Sequence, residues 1–351
     1  MLVKTIRVEE AVGRVLCHDL TKIVRGQYKG ARFKKGQVIK EEDVEELLKM
    51  GKEQVYVLEL EPGDLHEDEA GLRLGRAAAG PGVEISAPKE SRVNLYASID
   101  GLLKVNVPAL EAINCLEDVV FATLPNNSVV KKGDLLAGTK VVPLVTREGT
   151  IKEVESICRQ AGWVLKVIPF KKLNAGLIIT GNEVFKKRIR DDFGPVMAGK
   201  LESFGSGVKF LAYAPDDAAE IADRIKDMAV GGAQLIIVTG GMSVDPDDVT
   251  PLAIKMSGAE VEKYGAPVLP GAMFMLAYLG DIPVLGMPAC GMFFKTTVLD
   301  LILPRLLCGE RVKRSDIVSL AHGGLCQGCE RCRFPNCTFG KGSAFTLRRE
   351  M

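Results

Sequence analysis

The sequence predicts an α/β protein whose second half is a mostly parallel sheet with helices on both faces. Short apolar runs at Leu177–Thr180, Val208–Ala214, Leu235–Val238 and Val284-Leu285 alternate with helix-length stretches, as strands buried on both faces do. Each run stops at turn residues: Gly181-Asn182-Glu183, Pro215-Asp216-Asp217, Thr239-Gly240-Gly241 and Gly286-Met287-Pro288. Right-handed crossovers place such loops on one edge of a parallel sheet, and open α/β sheets bind ligands at that edge. The front half is rich in short β-like runs and glycine turns instead.

From Lys4 to Leu60 the chain predicts short strands, a helix over Glu41–Met50 with acids in its first turn and Gly51 as its C-cap, and a strand over Gln54–Leu60. Glu61–Glu69 is acidic and poor in apolar residues, so it reads as an exposed connection with a solvated His66. Strands follow at Val93–Ile99, Leu102–Val107, Val119–Thr123 and Val141–Leu144. Lys-Lys-Gly occurs at Lys34-Lys35-Gly36 and again at Lys131-Lys132-Gly133, a faint internal echo. A helix from Ile151 leads to a strand over Val164–Ile168. Beyond it, helices are expected over Pro195–Phe204, from an Asp216 or Asp217 cap to Met228, from a Thr250 N-cap with Pro251 at the first helical position, over Gly271–Leu279, and over Met292–Leu307. The expected division is 1–60, a small α+β region; 61–170, a β-rich subdomain with its connecting helix; 171–312, the α/β domain; and 313–351, a cysteine-rich tail.

The totals bound the function. With 351 residues there is length for two or three domains and a sizeable core. Lys+Arg of 46 against Asp+Glu of 45 leaves +1, which argues against a general nucleic-acid or anionic-membrane surface. No apolar core of signal-peptide length opens the chain, and no apolar run reaches the roughly 18 residues of a membrane span. The expected location is the cytoplasm. With three histidines, none of them in the α/β stretch, no His-based triad is expected there.

The strand-end loops differ in what they offer. Gly240, Gly241 and Ser243 supply backbone and hydroxyl donors suited to a phosphate, although a Gly-Gly after a strand is by itself more often a plain tight turn. Asp245, Asp247 and Asp248 repel one another, which suggests a metal ion or a placed acid–base group. Asp216 serves as well as an N-cap as it would as a ligand. Lys186, Lys187, Arg188 and Arg190 offer charge to an anion or form a solvated face. Neither the dinucleotide nor the P-loop glycine pattern is present. In the tail, Cys326, Cys329, Cys332 and Cys337 lie within twelve residues, which in a cytosolic protein favours metal over disulfides. Their spacing leans towards an iron–sulfur cluster over Zn²⁺. So polar a segment is expected to order only when loaded, fairly independently of the α/β domain. Cys17, Cys115, Cys158, Cys290 and Cys308 sit among apolar neighbours and read as small buried hydrophobes.

V-T-G-G-M-S-V-D-P-D-D-V-T-P, Val238–Pro251, resembles the signature loop of the molybdopterin-binding domain of molybdenum cofactor biosynthesis. L-I-I-T-G-N-E-V from Leu177 and A-P-D-D from Ala214 resemble further pieces of that family in the right order. The front half, beginning A-V-G-R-V-L-C-H-D-L at Ala11, is similar to the molybdopterin molybdenumtransferases, whereas P-D-D-V-T-P is closer to the adenylyltransferases. The resemblance places Thr239, Gly240, Gly241, Met242 and Ser243 around the pterin and its phosphate, with Thr180, Gly181, Asn182 and Pro288 from the neighbouring loops. It implies Asp248 and Asp216 as residues that hold Mg²⁺ or assist transfer, and Glu183 near the molybdenum site. Three departures stand out: Asn182 where those enzymes usually have Asp, Asp245 where they have Gly, and Met287-Pro288-Ala289-Cys290-Gly291 in place of Leu-Pro-Gly-Asn-Pro. The family's terminal β-domain is also replaced by the cysteine tail. The resemblance implies a protein that binds molybdopterin or its adenylylated form. As a transferase it would insert molybdenum; as a non-catalytic carrier or sensor it would serve a recipient molybdoenzyme. A nucleotide-type phosphohydrolase on the same fold is the third reading. A homo-oligomer is expected because the related families commonly form dimers or trimers.

Overall fold

The computed structural model describes residues 2–24, 28–89 and 92–342; positions 343–351 of the predicted tail lie outside them. The chain divides into two compact units, Met1–Ile168 and Pro169–Met351.

In the second unit six strands form one sheet in the order Gly207–Ala214, Asn174–Thr180, Leu235–Thr239, Ile282–Met287, Met275–Leu279, Glu260–Tyr264. The first four run parallel and the last two pairings are antiparallel, so the sheet is mixed. Successive side chains of a strand point to opposite faces, and the apolar runs fill both. Leu177, Ile179, Leu235, Ile237 and Leu285 pack with Met197, Leu201, Ile302 and Leu306 on one side. Ile178, Ile236, Val238 and Val284 pack with Ile221, Ile225 and Ile254 on the other. Helices Phe193–Glu202 and Val298–Leu307 thus cover one face, and Ala218–Val230 and Thr250–Met256 the other. The winding reverses between Asn174–Thr180, whose chain continues to the edge strand, and Leu235–Thr239, whose chain continues the opposite way. Their carboxyl ends lie at this reversal, the edge where open α/β sheets bind ligands.

Three expectations for this unit are corrected. Met275–Leu279 is a strand, not part of a helix: Leu279 lies opposite Ile282, leaving Gly280-Asp281 as a two-residue hairpin loop with Gly280 at φ +61. Its apolar run has no periodicity that separates a buried strand from a buried helix. The long closing helix is broken, because Phe294 is extended between Cys290–Phe293 and Val298–Leu307. A capping box restarts it: Thr297 N–H donates to Asp300 Oδ2 at 2.7 Å, and Leu299 N–H donates to Thr297 Oγ1 at 3.3 Å. Val249, not Thr250, is the N-cap of Thr250–Met256, and Thr250 is its first helical residue.

In the first unit, Leu2–Arg7, Gln54–Glu59 and Val15–Leu16 form an antiparallel sheet. Helix Glu41–Lys49 turns Leu47 into a core with Val8, Leu16, Phe33, Ile39 and Val55. Behind it, helices Glu67–Ala78 and Glu148–Ala161 contribute Leu74, Ala78, Val154 and Cys158 to a second core, filled from the strands by Leu95, Leu103, Phe121 and Val167. The acidic stretch from Glu61 is not a free connection. His66 ends strand Asp64–His66, is buried, and caps the next helix, its Nδ1 accepting from Asp68 N–H at 3.3 Å. Its Nε2 lies 2.6 Å from Gly36 O and donates to it. The Lys-Lys-Gly echo recurs in space: Lys35 N–H donates to Asp19 Oδ1 at 2.7 Å and Lys132 N–H to Asp100 Oδ1 at 2.8 Å. Gly36 and Gly133, at φ +84 and +90, each donate at 2.8 Å to a strand-end carbonyl, of Leu16 and Ala97.

The tail is also not independent of the α/β unit. Leu269 N–H donates to Gly324 O and Cys326 N–H to Leu269 O, both at 2.8 Å. Phe339 is 2% exposed in the core that holds Leu299 and Leu303, and Phe334 packs edge-on against it with centroids 6.2 Å apart. Two aromatic anchors and a short backbone ladder supply the packing that the tail's composition hides.

Candidate functional site

Thr180 and Thr239 end the two strands at the reversal, and both are buried. A buried hydroxyl needs a partner, and each threonine finds one across the strands. Thr180 Oγ1–H donates to Thr239 O at 2.8 Å, and Thr239 Oγ1–H to Ile178 O at 3.4 Å. The strand ends are thereby fixed sideways before the chain turns.

Gly240 and Gly241 follow at φ +88 and +56, backbone that side-chain-bearing residues adopt only with strain. Space forbids a side chain as well. A Cβ on Gly240 would stand 2.8 Å from Thr180 Oγ1, and one on Gly241 2.8 Å from Thr250 Oγ1. The room under the turn is therefore filled by two threonine hydroxyls. Gly240 N–H is committed too, donating to Met287 O at 3.2 Å. Among the described residues, however, the N–H groups of Gly241, Met242 and Ser243 have no acceptor. Successive donors without acceptors after a left-handed turn are the kind of backbone run that anion-binding concavities use. Thr250 Oγ1 is buried with no partner among the described residues.

Met242 anchors the turn. It is 2% exposed, and its sulfur lies 2.7 Å from where a Cβ on Gly286 would be. Its carbonyl accepts from Tyr264 Oη–H at 2.8 Å, tying the turn to the antiparallel edge. The acidic loop closes on itself: Asp245 N–H donates to Asp248 Oδ2 at 3.0 Å and Asp248 N–H to Asp245 O at 2.9 Å. Asp248 is half-buried, whereas Ser243, Asp245 and Asp247 are exposed. Burial, and then the charge of Asp248, push the Tyr264 phenol above its ordinary range.

On the other flank Asp216 Oδ2 accepts from Asn182 N–H at 3.0 Å. Asp217 caps helix Ala218–Val230 through Glu220 N–H at 2.9 Å. Asp216 thus joins two strand-end loops. The exposed Glu183 folds its carboxylate back over Gly181 (φ +126), with Oε1 2.7 Å from where a Cβ there would stand. Lys186, Lys187, Arg188 and Arg190 are exposed and make no ion pair among the described residues. Pro288 is buried at the start of the fourth loop, and Cys290 behind it has its thiol pushed up by burial.

The structure therefore gathers Thr180, Gly181, Asn182, Asp216, Thr239, Gly240 and Gly241 at the reversal, with Met242 beneath the turn and Asp248 beyond it. It does not gather the cysteines. Cys326 and Cys337 are half-buried against the core, and Cys329 and Cys332 are exposed. No group of three or more His, Cys, Asp or Glu among the described residues is arranged to hold a metal. Cys332 Sγ lies 3.3 Å from Thr296 Oγ1, and that hydrogen bond, with one from Phe334 N–H, lowers the thiol below its usual range. Thr250 and Tyr264 are the site residues that sequence reasoning missed. Thr-Pro opening a helix reads as a cap, and no local signal carries a tyrosine thirteen residues beyond it.

Residues 176–307 match the model of a probable molybdopterin binding domain, and residues 5–59 match a domain of unknown function (DUF8806). The chain is similar to the CinA-like protein of Mycobacterium leprae (strain TN), 34% identical over 76 residues, which are 22% of this chain and 18% of that protein. It thus spans less than a fifth of that relative's length. It is similar to the molybdopterin biosynthesis enzyme MoaB of Thermus thermophilus, at 18% identity and TM-score 0.33 over 40% of this chain and 99% of that one. It is also similar to the molybdopterin biosynthesis MoeA protein of Pyrococcus horikosii, at 14% identity and TM-score 0.33 over 88% of this chain and 75% of that one.

Proposed function

We propose, from the match of residues 176–307 to the molybdopterin-binding domain family, that this chain binds molybdopterin or its adenylylated form at the loops that follow Thr180 and Thr239. The observation that carries the reading is the run of three acceptor-less N–H groups at Gly241–Ser243 on the strand-reversal edge. They are suited to the pterin phosphate. Gly181, Asn182 and Pro288 line the neighbouring loops, and Lys186, Lys187, Arg188 and Arg190 add positive charge for an anionic ligand. Asp248 is the acidic residue that assists transfer, Asp216 positions the Asn182 loop, and Glu183 stands over Gly181.

Mg²⁺ fits this set only together with a ligand. It commonly takes one or two carboxylates plus substrate phosphates, and Asp248 and Asp216 each keep one oxygen without a protein partner among the described residues. When bound it would offset phosphate charge. The catalytic form of the reading is molybdenum insertion, with molybdate as substrate. A carrier role for a recipient molybdoenzyme would use the same loops without turnover. Phosphohydrolysis of a nucleotide-like ligand is the third outcome of the same assays.

Calorimetric titration with molybdopterin tests the pocket. Gly241→Ala introduces a Cβ 2.8 Å from Thr250 Oγ1 at φ +56, a strain of about 1–3 kcal/mol, so affinity should fall at least about tenfold. Thr250→Ala in that background removes the clash but not the backbone strain, and should recover part of the loss. Equal affinity in wild type and Gly241→Ala would reject the turn as the binding element.

The four tail thiols do not form a ligand set as they stand, and no step here runs through a metal on them. Their spacing still supports a cluster or Zn²⁺, if the chain between the anchored Cys326 and Cys337 refolds around it. Protein purified without oxygen should contain iron and acid-labile sulfide, or one zinc per chain. Four titratable thiols with neither metal would reject both.

A further inference from the structure

Helices Glu67–Ala78 and Glu148–Ala161 border an open groove of about 410 Å³ in the first unit, lined by Arg73, Arg76, Ala77, Glu155, Cys158, Arg159 and Gly162. Neither the pterin loops nor the cysteine tail contributes to it. Its charges divide into a balanced and an unbalanced set. Arg73 is held as a fork by Glu155, with Nε to Oε1 at 2.8 Å and Nη2 to Oε2 at 3.0 Å, and its Nη1 reaches Glu148 Oε1 at 3.2 Å. Lys152 pairs with the other oxygen of Glu148 at 2.9 Å. Two cations and two carboxylates cancel there, and each nitrogen of the Arg73 guanidinium donates one hydrogen bond.

Arg76 and Arg159 remain. Both are exposed at the rim of the groove, and neither has a hydrogen bond or ion pair among the described residues. Glu155 feels the charge of Arg159, but both its oxygens are taken by Arg73. Each arginine lies in the last turn of its helix, where a cation offsets the helix dipole. That accounts for one cation at each helix end, but not for both lining one groove. Cys158 forms a neutral wall, its thiol pushed up to about 11 by burial, and Gly162 carries no side chain into the opening.

We propose that this groove is a second ligand site, binding the phosphate group of a small phosphate monoester between the Arg76 and Arg159 guanidiniums. Paired guanidiniums match phosphate oxygens with two parallel hydrogen bonds each, and the fixed Arg73–Glu155 fork sets the floor without competing for the anion. The volume exceeds that of a bare phosphate, so the ester portion would lie along Ala77 and Cys158.

The test uses the full chain at low ionic strength, titrated with inorganic phosphate and with ribose 5-phosphate. The Nε–Hε resonances of Arg76 and Arg159 are followed, so that binding at the pterin loops is not counted. Saturable shifts are expected with both probes, tighter with the monoester. Arg76→Gln and Arg159→Gln should each weaken binding about tenfold, and the double variant should abolish it. Both side chains are exposed, so the fold should persist, as circular dichroism would verify. Free phosphate binding as tightly as the monoester would reject the ester portion of the site. Absence of saturable shifts, or unchanged affinity in the double variant, would overturn the proposal and leave the molybdopterin reading untouched.

Discussion

Asp248→Asn is expected to leave molybdopterin affinity unchanged while slowing molybdenum insertion by about 10²–10³. The asymmetry follows from what Asp248 does in the structure. One of its oxygens accepts Asp245 N–H at 3.0 Å and closes the acidic loop, a bond that an asparagine carbonyl can also accept. The free N–H groups of Gly241–Ser243 therefore keep their places, and the lost element is a negative charge beside the bound ligand. Single-turnover assays with molybdate, Mg²⁺ and the adenylylated pterin would read the rate, and calorimetry the affinity. A variant as fast as wild type would remove Asp248 from the chemistry. A wild-type protein that binds the pterin but turns nothing over would leave the carrier role as the function.

Phe339→Ala should release the tail from the second unit. Phe339 is 2% exposed in the core; truncating such a phenylalanine costs about 3–5 kcal/mol. The other holds on residues 326–342 are shallower: Cys326, Phe334 and Cys337 are only half-buried against the core, and Cys329 and Cys332 are exposed. Trypsin should then cut at Arg331 and Arg333 much earlier than in wild type, while urea unfolding of the α/β core shifts far less. Unchanged cleavage would mean that the aromatic pair does not anchor the tail.

The parallel part of the sheet was legible because each strand announces itself twice, by a doubly buried apolar run and by the turn residues that end it. Leu235–Thr239 with Gly240-Gly241 is the clearest case. The antiparallel edge was not, because Met275–Leu279 is apolar without alternation and its only marker is the short Gly280-Asp281 turn. The broken last helix carried a written signal in Thr297-x-x-Asp300, outweighed by the apolar run around it. At the site, the position of the glycines was readable but their reason was not. They look like clearance for a ligand, and the structure shows clearance for Thr180, far back in the sequence, and for Thr250 at the far end of the acidic loop. His66 and Phe339 share that difficulty: a histidine among acids and a phenylalanine among cysteines look exposed until the partner segment is known.

The anchoring of Met242 has a consequence for how this loop can change. Its side chain is seated against Gly286 and its carbonyl is held by Tyr264, so the base of the turn is bolted to both halves of the sheet. The tip from Ser243 to Asp247 is exposed, and Asp248 closes it internally rather than against the core. Base and tip are thus mechanically separate parts, a socket and an interchangeable head. Residues from Val244 to Asp247 can be replaced, altering charge or chemistry, without moving the acceptor-less N–H groups of Gly241–Ser243.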